Sequence, residues 1–257
     1  KSIDSSFGRI QFTPDTLPGD ILGMNIYNSK KQEFEYKPGI ISNQLILADE
    51  INRTSPKTQS ALLEAMAEGQ TTVDGKIYAL PDPFMVIATQ NPIEQEGTYP
   101  LPEAQQDRFM FNIYLDYPNF EQEVNIVKST IHGDMVEPKQ VLSIEEIIYY
   151  QKLLQKIPIP ENVYEYAVRL ATMTRPGTST GHQWATDYLS WGAGPRASQY
   201  LVIGARTHAV LNGKYSPDIE DIKAVAHNIL RHRIIRNYKA EADGVTVNDI
   251  IDKLLNE

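Results

Sequence analysis

The 257-residue sequence contains no cysteine. That single absence removes disulfides, thiolate metal sites and cysteine nucleophiles together. No apolar run approaches the roughly 18 residues that a membrane-spanning helix needs. No charged-then-apolar leader opens the chain, so a cytoplasmic location is expected. Net positive charge is lacking too: 24 Lys and Arg face 33 Asp and Glu, a formal charge of −9. A protein whose whole surface wraps nucleic acid needs a positive field, so that class is disfavoured, while a local basic patch stays compatible. Histidine is sparse, and His132, His182, His208, His227 and His232 include no H-E-x-x-H pair. His227 and His232 lie nearest each other, but at a spacing poorly suited to one helix face, so all five read as structural or surface residues.

What remains is ordinary for a water-soluble fold, with 41% hydrophobic and 22% charged residues. The length suffices for one large domain or two modest ones. Four short β-prone runs stand out: Gly8–Thr13, Gln44–Asp49, Phe84–Gln90 and Phe109–Leu115. The second and third are nearly continuous apolar runs, as expected of parallel strands covered on both faces. Between them the spacing predicts a helix, capped by Ser55, started by Pro56, carrying Ala61, Leu62, Ala65 and Met66 on one face and stopped at Gly69. Two hairpins interrupt this rhythm. One joins Ile26-Tyr27 to Phe34-Glu35-Tyr36 across Asn28–Gln32. The other joins Thr71–Val73 to Ile77–Leu80 across Asp74-Gly75, a dipeptide suited to a type I′ turn. After Tyr117-Pro118 the strands stop. Helical spacing governs Glu145–Lys156, Glu161–Thr174, Ala197–Leu211, Ile219–His232 and Val247–Leu255, with Ile157–Pro160 as a hinge.

The chemistry begins at Asp49-Glu50, two acids ending an apolar strand. Ligands of open parallel sheets bind beyond the carboxyl ends of the strands. In a nucleotide site the first acid can hold Mg²⁺, often through water, and the second can polarise an attacking water. Taken alone, the pair reads equally as a strand running into a solvated turn. The next strand ends in Gln90-Asn91-Pro92, where Asn91 could orient a lytic water beside Glu50, although Asn-Pro by itself is only a turn signal. Arg108, just before a β-prone run, reads as a surface cation or as an arginine finger, a device worth roughly 10³–10⁵ in rate. Arg196 follows Gly194-Pro195, a helix start that aims an early arginine at a phosphate or at solvent. Other motifs carry less. Gly177–Gly181 matches G-x-S-x-G but lies in a polar loop after Pro176 instead of a strand-to-helix elbow. Asn52-Arg53-Thr54 matches a glycosylation acceptor in a chain with no other sign of secretion.

Four stretches, Arg9–Gly23, Leu45–Met66, Val86–Phe109 and Gly192–Arg206, together resemble the MoxR family of AAA+ ATPases over nearly the whole chain. The resemblance implies an α/β fold: an AAA+ αβα parallel-sheet core over 1–156 and an all-helical lid over 157–257. It implies that Asp49 and Glu50 are the Walker B pair, with Asp49 the Mg²⁺ residue, and that Asn91 is sensor 1. Arg108 would be the finger supplied to a neighbouring subunit and Arg196 the sensor 2 residue of the lid. Gly194 stands where the family commonly has serine, which leaves the arginine in place. Arg53 falls in a matching stretch as a weaker catalytic candidate. Tyr27, Phe34 and Tyr36 lie on a hairpin that the family projects toward the pore of a ring, although aromatic hairpins also pair simply to stabilise themselves.

The implied activity is Mg-ATP hydrolysis in a homo-oligomeric ring, expected to be a hexamer. It would remodel a protein client, often alongside von Willebrand A domain proteins. A non-hydrolysing AAA+ scaffold is the alternative, as is a nucleic-acid motor of the kind related to minichromosome maintenance helicases and magnesium chelatases. No G-x-x-x-x-G-K-[ST] loop occurs in the sequence, although that loop is what cradles the phosphates. Lys1-Ser2 lies too close to Arg9 to be its remnant. In the family arrangement the strand before the loop sits inside the sheet, and losing it would cost about 1–3 kcal/mol for each unpaired interior backbone group. The sequence is therefore expected to be part of a longer chain, inactive without the missing loop.

Overall fold

A computed structural model describes residues 2–91, 97–132 and 138–257. Lys1 and Pro92, the turn residue after Asn91, lie outside the described residues. The first apolar runs become β1 (Phe7–Gln11), β4 (Leu45–Asp49) and β7 (Met85–Ala88), which pair in parallel in the order β1-β4-β7. The register sets Gln11 beside Asp49 and Ala48 beside Ala88, so the carboxyl ends of all three strands fall together.

Alternation along β4 buries Ile46 and Ala48 against a cluster that includes Phe12, Ile21, Ile41, Leu62 and Leu63. Helix α2 (Pro56–Glu68) supplies the last two. Ser55 Oγ accepts from Thr58 N, Pro56 occupies the first turn, and Gly69 ends the helix in the left-handed region at φ 65°. The expectation of cover on both faces does not hold for β7. Met85 is 57% and Ile87 46% exposed, because no described helix packs on that face.

Both hairpins form. β2 (Gly23–Asn28) pairs with β3 (Glu33–Pro38), and β5 (Gln70–Val73) pairs with β6 (Lys76–Ala79). Asp74 and Gly75 both take positive φ, 49° and 79°, as a type I′ turn requires. The hairpins touch: Tyr36 stacks on Tyr78 at 3.9 Å between centroids, and Asn25 Nδ2 donates to Asp74 Oδ2 at 2.7 Å.

The fourth β-prone run is a correction. Phe109–Leu115 is not a strand, and Ile113 and Leu115 are exposed. Strands exist through ladder bonds, and no described strand lies beside this segment, so its β-prone residues have nothing to pair with. Short α1 (Pro18–Leu22) and α3 (Glu103–Gln106) and the longer α4 (Phe120–His132) precede α5 (Ile144–Gln155). Beyond these come α6 (Glu161–Met173), α7 (Gln183–Tyr188), α8 (Pro195–Leu211), α9 (Ile219–Leu230), α10 (Tyr238–Ala242) and α11 (Val247–Leu255), with a small β8–β9 pair (Leu189–Trp191, Ile235–Arg236). Their apolar faces close a second cluster that includes Leu170, Leu201, Ile222, Ile229 and Ile250. The fold is thus a parallel α/β unit followed by a helical one.

Candidate functional site

Asp49, Glu50 and Asn91 emerge at the carboxyl ends of the adjacent strands β4 and β7. Thr89, the residue after β7, ties the acids together. Its hydroxyl donates to Asp49 Oδ1 at 2.6 Å and accepts from the Glu50 amide at 2.9 Å. Arg9 Nη2 reaches the other Asp49 oxygen at 2.7 Å. The Thr89 hydroxyl, and after it Arg9, hold the Asp49 carboxyl below the usual carboxylate range, so it stays ionised.

Glu50 takes a left-handed backbone at φ 56°, ψ 49°. For a residue bearing a Cβ this conformation is uncommon and costs energy, of the kind concentrated at functional sites. Backbone bonds to Thr89 hold it from both sides, since the Ile51 amide donates to Thr89 O and the Thr89 amide to Ala48 O. Arg53 Nη1 meets Glu50 Oε2 at 3.1 Å and Gln11 Nε2 approaches it at 3.5 Å, so Arg53 partners the acid directly. Asn52 is buried and pairs reciprocally with the Asn91 backbone, donating to its carbonyl and accepting from its amide. Thr54 is fully buried as well, which disposes of the glycosylation motif.

The two arginines bond to other partners. Arg108 Nη1 donates to Leu63 O on α2 at 3.0 Å. Arg196, at the start of α8, meets Asp107 Oδ2 at 2.5 Å. Arg233, which the sequence did not mark, is buried and binds the same segment: Nε meets Asp107 Oδ1 at 2.8 Å, and its other nitrogens donate to the carbonyls of Asp107, Phe109, Met110 and Ile229. Thr89, Arg9, Asn52 and Arg233 were missed because each works through a neighbour. Only Thr89 left a signal, a hydroxyl residue two before Asn91 at a strand end.

Mg²⁺ is commonly bound through one or two carboxylates completed by substrate phosphates and water. Among the described residues no group of three or more His, Cys, Asp or Glu could cage a metal. An ionised Asp49 at the carboxyl end of β4, the central strand, fits a Mg²⁺ site completed by substrate. A surface cleft of about 740 Å³ lies elsewhere, between α6 and the loop carrying Ser179 and Gly181, and contains none of these residues. That loop connects α6 to α7, so Ser179 has no nucleophile elbow.

Comparison with known proteins agrees with this architecture. Residues 1–111 match the profile of the "ATPase family associated with various cellular activities (AAA)", and residues 182–254 match an AAA lid domain. The uncharacterized protein YeaC of Bacillus subtilis is 43% identical over all of this chain and 78% of its own length. The chaperone MoxR1 of Mycobacterium tuberculosis is 38% identical over 98% of this chain and 67% of its own. A crystal structure of a candidate ATPase from Cytophaga hutchinsonii superposes with a TM-score of 0.91 at 42% identity, covering 99% of this chain and 78% of that one. The likeness runs through both the sheet and the helical part, and the chain belongs to the MoxR family of AAA+ ATPases.

Proposed function

We propose that the chain is the acid half and lid of an ATP-hydrolysing, protein-remodelling ring, divided as a core over 1–156 and a lid over 157–257. The observation that carries this is the Asp49-Glu50 pair, locked to the next strand through the single hydroxyl of Thr89. Asp49 is the residue that would hold Mg²⁺, whose charge neutralises the phosphates when bound. Glu50 orients and deprotonates the attacking water, with Arg53 and Gln11 fixing its carboxylate. Asn91 positions that water, its backbone pinned by Asn52. Arg108 serves a neighbouring subunit's site, and Arg196 senses phosphate from the lid. The phosphate-binding loop is supplied from outside these residues, which alone do not turn over ATP.

The ring is a hexamer of copies in the cytoplasm, with the paired hairpins facing its pore and a protein client, of von Willebrand A type, beyond it. MoxR1, a relative described as a chaperone, supports a protein client over nucleic acid, as does the acidic net charge. In the full-length protein, Glu50→Gln keeps nucleotide binding and assembly but abolishes turnover. Unchanged turnover in a coupled phosphate-release assay removes Glu50 from this role.

A further inference from the structure

Arg196 and Arg233 share one partner, and they use it differently. Arg233 is built in: it is buried in the turn after α9, with carbonyls or the Asp107 carboxylate on every side-chain nitrogen. The Arg196 side chain is 41% exposed and held by Asp107 Oδ2. Four residues along the same face of α8, the Tyr200 hydroxyl donates to Arg108 O at 3.3 Å, and its ring lies 5.0 Å from the Arg233 guanidinium. The first turns of α8 therefore grip Asp107 by its carboxylate and Arg108 by its carbonyl. The Arg108 side chain is held by a different element, donating to Leu63 O on α2.

We propose that Asp107 is a positioning residue that parks the lid arginine Arg196 and couples its release to the finger Arg108. A carboxylate and a phosphate compete for the same guanidinium fork. When phosphate draws Arg196 away, α8 loses its anchor on Asp107, and Tyr200 shifts against the carbonyl of Arg108. Nucleotide occupancy sensed by one subunit's lid thus alters the finger offered to the next. Arg233 keeps the segment docked on the lid throughout, so the change is an adjustment and not a detachment. This inference rests on the phosphate-directed roles proposed above for Arg108 and Arg196.

The test uses the full-length protein in four forms: wild type, Asp107→Asn, Arg196→Ala and the double variant. Affinity for a fluorescent ATP analogue is measured alongside KM and kcat. Releasing Arg196 in Asp107→Asn is expected to tighten binding by about fivefold or more, while kcat falls because the Tyr200 contact on the Arg108 carbonyl shifts. In the Arg196→Ala background the same substitution is expected to leave affinity unchanged, a non-additivity that a merely structural role would not produce. If Asp107→Asn does not fold, Tyr200→Phe, which deletes the bond to the Arg108 carbonyl and keeps the ring beside Arg233, is expected to lower kcat while leaving affinity unchanged. Weakened binding by Arg196→Ala, with no tightening by Asp107→Asn, with equal effects in both backgrounds or with kcat unchanged in Tyr200→Phe, overturns the coupling alone. Unchanged binding by Arg196→Ala overturns the phosphate-sensing role of Arg196, and the coupling with it.

Discussion

One hydroxyl at the end of β7 serves two masters: Thr89 Oγ1 donates to Asp49 and accepts from the Glu50 amide. Both bonds need the oxygen, and neither needs the methyl group. Thr89→Val keeps the shape and deletes both bonds, so turnover of the full-length protein is expected to fall about 10–100-fold, the usual cost of losing an outer-shell partner. Thr89→Ser should restore most of it. Steady-state rates at saturating ATP check this, and a valine variant as active as wild type would show that the acids are held by other means. The acids, Asn91 and the two arginines could be singled out as candidates in the sequence because each carries its chemistry in its own side chain. Thr89, Asn52 and Arg233 were not, because their meaning lies in what they touch across 39, 39 and 126 positions of sequence.

Elements were legible where local chemistry decides them. The Ser55 cap, Pro56 start and Gly69 stop of α2 all sit where the sequence placed them, as does the Asp74-Gly75 turn. They were illegible where a partner decides. Phe109–Leu115 has strand composition without a strand beside it, and α4 carries helical spacing that its mixed, exposed surface obscured. A third kind of position depends on close approach. A Cβ on Gly39 would lie 2.2 Å from Ile21 O and 2.3 Å from the Gly23 amide nitrogen, at the base of the β2–β3 hairpin. Backbone atoms cannot yield as a flexible side chain would. Gly39→Ala is therefore expected to destabilise the protein by about 1–3 kcal/mol, the range for overpacking. Denaturant unfolding measures this, and a midpoint unchanged from wild type would mean that the hairpin base relaxes freely.

Across the whole molecule the two apolar clusters share no residue among those described. The named bonds between them are polar: Arg196 and Arg233 on Asp107, Tyr200 on Arg108, His232 on Phe109 O, and the Asn112 amide on Asn228 O. Arg231 also lies over the Tyr114 ring at 4.7 Å. His232 makes this seam sensitive to acid. Burial, reinforced by Arg233, lowers its pKa to about 4, against about 6.5 in the unfolded chain. Between those values the unfolded state binds a proton that the native state refuses, so stability declines as pH falls from 6.5 to 4, by at most about 1.4 kcal/mol per pH unit. His232→Gln can still donate to Phe109 O, and its melting temperature should fall less steeply over that window. Parallel melting curves for the two proteins would exclude His232 as the source.

The composition of the seam has a thermodynamic consequence. The heat-capacity change of unfolding comes mainly from apolar surface meeting water, and polar exposure opposes it. Parting the guanidinium, carboxylate and carbonyl contacts of this joint lowers the heat capacity, while baring the Tyr114 and Tyr200 rings raises it, and the two changes oppose each other. Lid displacement should then be nearly silent in heat capacity and governed chiefly by ionic strength, while melting of either apolar cluster carries the ordinary calorimetric signature.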